Sequence, residues 1–213
     1  MEKPVQSSVK VCLGILSKDG NVSPPMAMFM ASQPYFWQEF DCKIFDARMG
    51  AGWFDVYSWM SRQDSDYYVF MDASMCPDPY TIERLVSRQV DVVVPPVWEV
   101  YNGTKRLNAV VGDKYLEKHQ DCGFQKCDNS TLSIVCISRK VLTMLLMAME
   151  IINDSSLLAP IKTLGFPIFI DWTISPSYRW EDESREYGNR MLQAYGLWYS
   201  RIKRGLSIGG ATD

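Results

Sequence analysis

The sequence predicts one α/β domain, a three-layer sandwich in which helices flank a mainly parallel central sheet. Its 213 residues, 47% hydrophobic and 13% aromatic, suffice to bury one sizeable core. Short apolar runs alternate with segments of helical spacing in the first half, as in βαβ units. Several runs end on a carboxylate, which places acids at the carboxyl edge of the sheet. We assign residues 1–206 to the domain and 207–213 to a flexible tail.

The first half alternates regularly between strands and helices. Short β-branched or aromatic runs predict strands at residues 9–16, 42–45, 67–71 and 90–94. Helical spacing predicts helices at residues 25–33, 54–62 and 81–88, with Ser23 capping the first of them. This βαβαβαβ order implies right-handed crossovers and a parallel, doubly wound sheet.

The second half is less regular. Asn102-Gly103 predicts a hairpin between residues 98–101 and 104–107. A strand is expected at 132–137, a Met-rich helix at 139–152 and a last helix at 182–195. Between these two helices, residues 160–170 are expected to form a loop and a short strand that delivers Asp171 and Trp172.

Composition excludes several classes of protein. A net charge of -3 and a pI near 5.3 argue against a nucleic-acid partner, because phosphate-driven binders carry a basic excess. Cys12 and Cys136 lie in apolar strands, as reduced core thiols do. Residues 1–8 lack the apolar core of a signal peptide, and the apolar stretch 141–152 is too short for a bilayer. We therefore expect a cytoplasmic protein without a membrane span.

Three familiar chemistries do not fit the motifs. Residues 17–20, Ser-Lys-Asp-Gly, have neither the order nor the spacing of a P-loop. Gly50-Ala51-Gly52 follows a strand, but no third glycine opens the next helix as a dinucleotide fingerprint requires. The sole histidine, His119, lies in a polar segment typical of a solvated side chain, so a serine triad lacks its base.

Carboxylates at strand ends remain as candidate functional groups: Asp19, Asp46, Asp72 and Asp171. Strand ends of a parallel sheet meet at one edge, so we expect these acids to outline one cleft, although each alone is equally compatible with surface solvation. Asp72, directly after the run 67–71, is well placed to hold a divalent cation against a phosphate. The alternative is that Asp72 only caps the following turn.

At these landmarks the chain resembles the nucleotide-sugar glycosyltransferases of the GT-A fold. Asp72-Ala73-Ser74 after a buried strand looks like the family's Asp-x-Asp motif, and the helix from Thr81 and the strand at 90–94 follow in the family's order. Trp180-Glu181-Asp182, before a helix that carries Tyr187 and Arg190, is similar to the Glu-Asp helix start of inverting members. The landmarks span residues 9–195. Within the family, the chain most resembles compact virus-encoded enzymes, such as the N-terminal domains of the enzymes with which chlorella viruses build capsid glycans. This implies a location in the host cytoplasm.

The resemblance implies a nucleotide site and a metal site. Asp46 would accept the imide N–H of uracil, and Arg48 would reach phosphate. The remaining nucleotide contacts would come from Leu16, Ser17, Asp19, Asp72 and Ala73. Asp72 and Ser74 would hold Mn²⁺ or Mg²⁺. Ser74 replaces the family's second acid, and one carboxylate with a hydroxyl suffices only if phosphates and water complete the coordination.

The resemblance also implies a catalytic base and a sugar-binding surface. Asp182 is the candidate general base, with Glu181 and Asp171 as rivals, although acids at helix starts are often plain caps. Trp172, Tyr178 and Trp180 would stack on sugar rings, and ordinary packing explains them equally well.

The sequence is therefore interpreted as an inverting, metal-assisted hexosyl- or deoxyhexosyltransferase that uses a UDP-sugar and a carbohydrate acceptor, which can be a protein-linked glycan. A nucleotidyltransferase normally has a Gly-rich, basic loop after its first strand, and residues 14–18, Gly-Ile-Leu-Ser-Lys, are poor for that. A non-catalytic nucleotide-sugar-binding module with a decayed motif is the other alternative.

Overall fold

The computed structural model describes residues 8–101, 104–111, 114–115, 123–130, 133–148, 158–174 and 177–179, with Gln193, Tyr195, Gly196 and Ser200. The predicted elements of the first half are confirmed, with one short strand added. They are β1 (Val11–Ser17), α1 (Pro24–Ser32), β2 (Phe40–Asp46), α2 (Trp53–Met60), β3 (Tyr67–Asp72), β4 (Met75–Cys76), α3 (Thr81–Ser87) and β5 (Val92–Val94). Ser23 caps α1 as predicted, because its hydroxyl accepts a hydrogen bond from the Met26 N–H.

In the second half, the described ranges up to residue 179 contain shorter strands and two helices. They are β6 (Val97–Tyr101), β7 (Thr104–Leu107), β8 (Ala109–Val111), β9 (Lys114–Tyr115), β10 (Phe124–Cys127), β11 (Asn129–Ser130), β12 (Ile134–Ser138), α4 (Arg139–Ala148), α5 (Leu158–Thr163), β13 (Ile168–Asp171) and β14 (Ser177–Arg179). The antiparallel pair of β6 and β7 confirms the predicted hairpin. No helix in the described ranges is long and apolar enough to cross a membrane.

Of the loop and short strand expected at residues 160–170, the strand is confirmed by β13, but the loop was wrong in its first part, because α5 occupies it. Pro160 favoured a loop, but it lies in the first turn of α5, where the backbone N–H groups have no partner within the helix. A proline there removes no hydrogen bond. The predicted helix at 182–195 lies largely outside the described residues, although Tyr195 is helical.

The central sheet has the order β10-β13-β5-β12-β3-β1-β2. Five of these strands run in one direction, and β12 and β10 run against them. The mainly parallel sheet confirms the predicted fold class. The βαβ series did not predict that β12 lies between β3 and β5. Residues 134–137 of β12 are as buried as its neighbours, so the apolar run itself carries no information on direction.

Helices cover both faces of the sheet. On one face α1 and α3 pack through side chains that include Met26, Phe29 and Leu85. On the other face α2, α4 and α5 pack against residues that include Phe70. The helix α2 approaches β1 closely at Gly14, where a Cβ would come within 2.4 Å of a Val56 methyl carbon.

Two smaller sheets flank the carboxyl edge, with the orders β4-β14-β6-β7 and β11-β8-β9. Buried Asn108 joins them: its side-chain oxygen accepts from the Val97 N–H at 2.9 Å, and its amide donates to Ser130 Oγ at 3.1 Å. In the first of these sheets Tyr178 lies opposite Cys76, and Arg179 lies opposite Met75. The chain of β14 therefore runs alongside the residues that follow Asp72.

Candidate functional site

Asp72 ends β3 in a tight turn with Ser74. Its Oδ1 accepts hydrogen bonds from the Ser74 N–H at 2.9 Å and the Ser74 hydroxyl at 2.7 Å. Its Oδ2 lies 4.0 Å from Lys18 Nζ, on the loop after β1. Asp72 thus closes the turn, and its second oxygen faces the loop after β1, where a ligand in the cleft can reach it.

Backbone hydrogen bonds fix this turn on both sides. The Ala73 N–H donates to the Leu16 carbonyl at 3.0 Å, and the Asp72 N–H donates to the Ser133 carbonyl at 3.0 Å. Ser23 also donates its hydroxyl to the Met75 carbonyl at 3.0 Å, which ties the start of α1 to the turn. The turn that carries the Asp72 carboxylate is therefore held by three other parts of the chain: the end of β1, Ser133 and the start of α1.

The loop after β1 is stabilised by its own side chains. Ser17 is buried, and its hydroxyl donates to the Asn21 carbonyl at 2.5 Å and lies 3.2 Å from Asp19 Oδ1. The Asn21 backbone N–H, at 3.0 Å from Asp19 Oδ1, is the main cause that lowers the pKa of Asp19. Ser17 therefore shapes the loop from inside, while Asp19 is exposed at its surface.

The turn after β2 carries an ion pair between Asp46 and Arg48. Arg48 Nη2 lies 2.8 Å from Asp46 Oδ2, and the Arg48 backbone N–H donates to Oδ1 at 2.9 Å. Hydrogen bonds from the Arg48 side chain lower the pKa of Asp46. Gly20 packs against this pair with a φ of 75°, and a Cβ there would overlap the guanidinium. The loops after β1 and β2 therefore form one continuous wall.

Asp46 and Asp72 lie two strands apart along this wall. In the register of the sheet Asp72 is opposite Leu16, and Asp46 is opposite Ser17. Since neighbouring strands are about 4.8 Å apart, the two acids are separated by about 10 Å along the edge. One extended ligand can reach both. The structure thus brings together Leu16, Ser17, Asp19, Asp46, Arg48, Asp72, Ala73 and Ser74.

The strand-end acid Asp171 does not join this group. Two strands, β12 and β5, separate β13 from β3, which places Asp171 about 14 Å from Asp72. Asp171 is fully buried, and Arg88 binds both of its oxygens, at 2.6 and 2.8 Å. Thr173 donates its hydroxyl to Oδ1 at 2.7 Å. These bonds favour a structural role for Asp171 over that of a general base.

Replacement of Arg88 by alanine should destabilise the protein by about 3–5 kcal/mol, because it leaves the buried Asp171 carboxylate without its counter-ion. Urea unfolding measures this loss. Lys140→Ala is the matched control, since it removes an exposed ion pair with Asp91 at 3.2 Å, worth less than about 1 kcal/mol. Equal, small losses in the two variants would show that the Arg88 pair contributes no more than a surface contact.

The predicted aromatic surface is described only in part. Trp172 is 2% exposed and donates its indole N–H to the Gln125 side chain at 3.2 Å. It packs in the core, so it presents no open ring face to a sugar here. The backbone of Tyr178 lies in β14, and Trp180, Glu181 and Asp182 lie outside the described residues.

The register of β14 bears on the candidate base. Because β14 is antiparallel to β4, the step from Tyr178 to Arg179 follows the step from Cys76 back to Met75, toward Ser74 and Asp72. Asp182 is three residues beyond Arg179. The described residues of β14 therefore run toward the Asp72 turn.

The oxygen donors at the turn suit a hard divalent cation only in part. Within the described ranges no three His, Cys, Asp or Glu side chains are grouped as a metal site. Asp72 and Ser74 supply one carboxylate and one hydroxyl on the same turn. Mg²⁺ and Mn²⁺ accept such a set when substrate phosphates and waters supply the other ligands, so the site fits a cation that binds together with a diphosphate.

Three contributors to the site were missed from the sequence. Lys18 was considered only within segments 14–18 and 17–20, which fit a nucleotidyltransferase loop and a P-loop poorly, but its ammonium is near Asp72. The Ser133 carbonyl accepts a hydrogen bond from the Asp72 N–H, and a backbone acceptor of this kind has no sequence motif. Tyr195 is buried and donates its hydroxyl to the Pro77 carbonyl at 2.7 Å, which anchors a late helical residue just beyond β4. Only the position of Lys18, directly after a strand, offered a usable signal.

No protein-family model and no curated protein matches the sequence. Among solved structures the chain is similar to A197 from STIV, with a TM-score of 0.54 and 16% identity over 81% of this chain and 86% of that one. It is also similar to the inositol-1-phosphate CTP transferase from T. maritima, with a TM-score of 0.54 and 8% identity over 88% of this chain and 98% of that one. At such identities the likeness concerns the fold, and it agrees with the sheet order: the chain has a GT-A-like α/β fold.

Proposed function

We propose that the protein transfers a sugar from a uridine diphosphate sugar to a hydroxyl of a carbohydrate acceptor, with inversion at the anomeric carbon. The observation that carries this proposal is the position of the Asp72 turn. It lies at the carboxyl end of β3, beside the loops after β1 and β2, about 10 Å from the Asp46–Arg48 pair. A nucleotide laid along this edge has its base near Asp46 and its diphosphate near Asp72.

Different residues of the wall would bind different parts of the donor. Leu16 and Ser17 form the floor below base and ribose through their backbone, and exposed Asp19 is placed to meet the ribose. Asp46 would accept from the base, and Arg48, which is 59% exposed and bonds Asp46 in this structure, would turn to the phosphate when the nucleotide binds. Because the hydrogen bonds from Arg48 keep Asp46 ionised, Asp46 is an acceptor only, and this suits the imide N–H of uracil.

The leaving diphosphate gains negative charge as the glycosidic bond breaks. A Mn²⁺ or Mg²⁺ ion held by Asp72 and Ser74 would supply Lewis-acid stabilisation of that charge. The chain itself supplies two positive charges: the Lys18 ammonium lies beside Asp72, and the Arg48 guanidinium lies farther along the wall. The Ser74 hydroxyl donates to Asp72 and so keeps the carboxylate aimed along the edge.

The acceptor hydroxyl loses its proton to a base on the opposite side of the sugar. Asp182 is our candidate, and the direction of β14 toward the Asp72 turn supports it. Glu181 is the neighbouring rival. Asp171 is a weak candidate, because Arg88 and Thr173 already occupy its oxygens. An inverting reaction requires such a base, because the acceptor hydroxyl attacks the anomeric carbon directly and must lose its proton.

Nucleotidyl transfer is the second candidate, and the likeness in fold to the T. maritima CTP transferase supports it. It would form pyrophosphate from a nucleoside triphosphate. The connection between β1 and α1 argues for the first candidate: residues 18–23 contain one glycine and one lysine, too few for a Gly-rich, basic triphosphate loop.

Thermal shift against a panel of nucleotides tests the donor class. The panel contains the uridine, cytidine, guanosine and adenosine diphosphates and their sugars, each with and without Mn²⁺. We expect the largest rise in melting temperature with uridine diphosphate and its sugars, and a further rise when Mn²⁺ is present. A preference for another base, or for triphosphates over diphosphates, would contradict the proposal.

A double-mutant cycle on Asp46 and Arg48 tests how the base is read. Asp46→Ala should weaken binding of uridine diphosphate by about 1–3 kcal/mol, because a donor of the base then lacks its acceptor. The same substitution should still weaken binding in the Arg48→Ala background, and titration calorimetry measures both losses. Asp41→Ala, an exposed acid on the same strand, is the control. If Asp46→Ala has no effect once Arg48 is gone, Asp46 acts only by holding Arg48.

A further inference from the structure

A lysine stands at the position proposed for the cation. Lys18 Nζ lies 4.0 Å from Asp72 Oδ2. The side chain of Lys18 is 78% exposed and that of Asp72 only 10%, so the ammonium approaches a mostly buried carboxylate from the solvent side. The other oxygen of Asp72 is engaged by Ser74 within the turn. An ion that reaches Oδ2 from the cleft must therefore come close to Lys18.

The negative charge of Asp72 and the positive charge of Lys18 balance each other. The turn contributes one carboxylate and one neutral hydroxyl, and Lys18 contributes one positive charge. A divalent cation therefore meets an already neutralised pair and an ammonium that repels it. A diphosphate changes the situation, because it offers several negative oxygens to both cations at once. A lysine has a compact charge on a flexible four-carbon stem, so it can turn from one anion to another nearby.

We propose that Lys18 is an internal counter-ion that competes with the divalent cation for Asp72 and moves to the diphosphate when nucleotide and cation bind. This inference rests on the proposed function, because it takes Asp72 as the cation ligand. Lys18 thereby makes the site weak for a cation alone and strong for a cation together with the nucleotide. Lys18 is thus a binding residue for the donor complex, and its effect is on the coupling between cation binding and nucleotide binding.

The proposal predicts two effects of opposite sign from one substitution. Lys18→Gln should bind Mn²⁺ alone more tightly, by about two- to five-fold, the strength of an exposed ion pair. It should bind uridine diphosphate without metal more weakly by a similar factor, because a phosphate ligand is lost. The coupling between Mn²⁺ and uridine diphosphate should fall in consequence, and by linkage it falls equally whichever ligand is added first.

Titration calorimetry with Mn²⁺ alone and with uridine diphosphate alone tests this on the whole chain. Lys18→Arg, which keeps the charge, should retain the wild-type Mn²⁺ affinity within a factor of two by our proposal. Lys140→Gln, which breaks an exposed ion pair with Asp91, should change neither affinity. Melting curves of all variants verify the fold.

The outcomes separate this inference from the proposed function. If Asp72→Asn abolishes Mn²⁺ binding but Lys18→Gln leaves it unchanged or weakens it, the role of Lys18 is refuted while the cation site stands. If Asp72→Asn binds Mn²⁺ like the wild type, the cation ligand lies elsewhere and the proposed function loses its metal site. Tighter Mn²⁺ binding with weaker nucleotide binding in Lys18→Gln supports the inference, since loss of folded protein would weaken both.

Discussion

Replacement of Asp72 by alanine is expected to abolish the part of donor binding that depends on the divalent cation. Asp72 is the carboxylate of the turn at the end of β3, and its Oδ2 faces the loop after β1. Without it the Ser74 hydroxyl remains, which is too weak a ligand to hold a hard cation by itself. Titration calorimetry with a uridine diphosphate sugar, with and without Mn²⁺, measures the effect.

Two further variants distinguish binding from folding. Asp72→Asn keeps an oxygen that accepts from the Ser74 N–H, so the turn survives while the charge is lost. Asp78→Ala removes a nearby acid that accepts from the Tyr80 N–H and should leave donor binding intact. If Asp72→Ala binds the donor with Mn²⁺ as tightly as the wild type does, the cation is held elsewhere.

The second large effect is expected for Asp182→Asn. It should lower the rate of sugar transfer by about 10²–10⁴-fold, the usual contribution of a general base, with little change in donor affinity. The reason is that the base acts on the acceptor hydroxyl and not on the nucleotide. The rate of transfer to the acceptor and the donor dissociation constant, measured on the same variant, give the two quantities.

Neighbouring acids serve as comparisons for Asp182. Glu181→Gln should retain most of the activity, and Asp171→Asn should act mainly on stability, because Asp171 is buried against Arg88. Near-normal transfer by Asp182→Asn would assign the base to another residue. A product with retained configuration would contradict a role for any base of this kind, since an inverting reaction requires attack from the opposite face.

The sequence predicted the first half of the fold well because local patterns decide it. The runs in β1 and β3 are short and apolar, and segments of helical spacing separate the strands, so each element could be placed by its period. The order of strands in the sheet depends on tertiary pairing instead. The run of β12 reads like that of β3, and nothing local tells that it inserts antiparallel between β3 and β5.

The candidate site could be predicted to a similar extent. Asp46 and Asp72 end the two parallel strands that flank β1, so their proximity followed from the strand ends. Asp171 was grouped with them by the same rule, but its partner Arg88 is 83 residues away in sequence and no pattern connects the two. Trp172 shows a similar limit of the sequence: residue type alone does not distinguish an aromatic side chain that packs in the core from one that binds sugar.

The most direct test of the account is to incubate the protein with uridine diphosphate sugars and Mn²⁺ and to quantify the nucleotide products. In the proposed reaction water can slowly take the place of the acceptor, so we predict release of uridine diphosphate and free sugar by the wild type and none above background by Asp72→Ala. A parallel incubation with nucleoside triphosphates and sugar phosphates monitors pyrophosphate. Formation of pyrophosphate without release of nucleoside diphosphate from any sugar nucleotide would contradict glycosyl transfer and establish nucleotidyl transfer in its place.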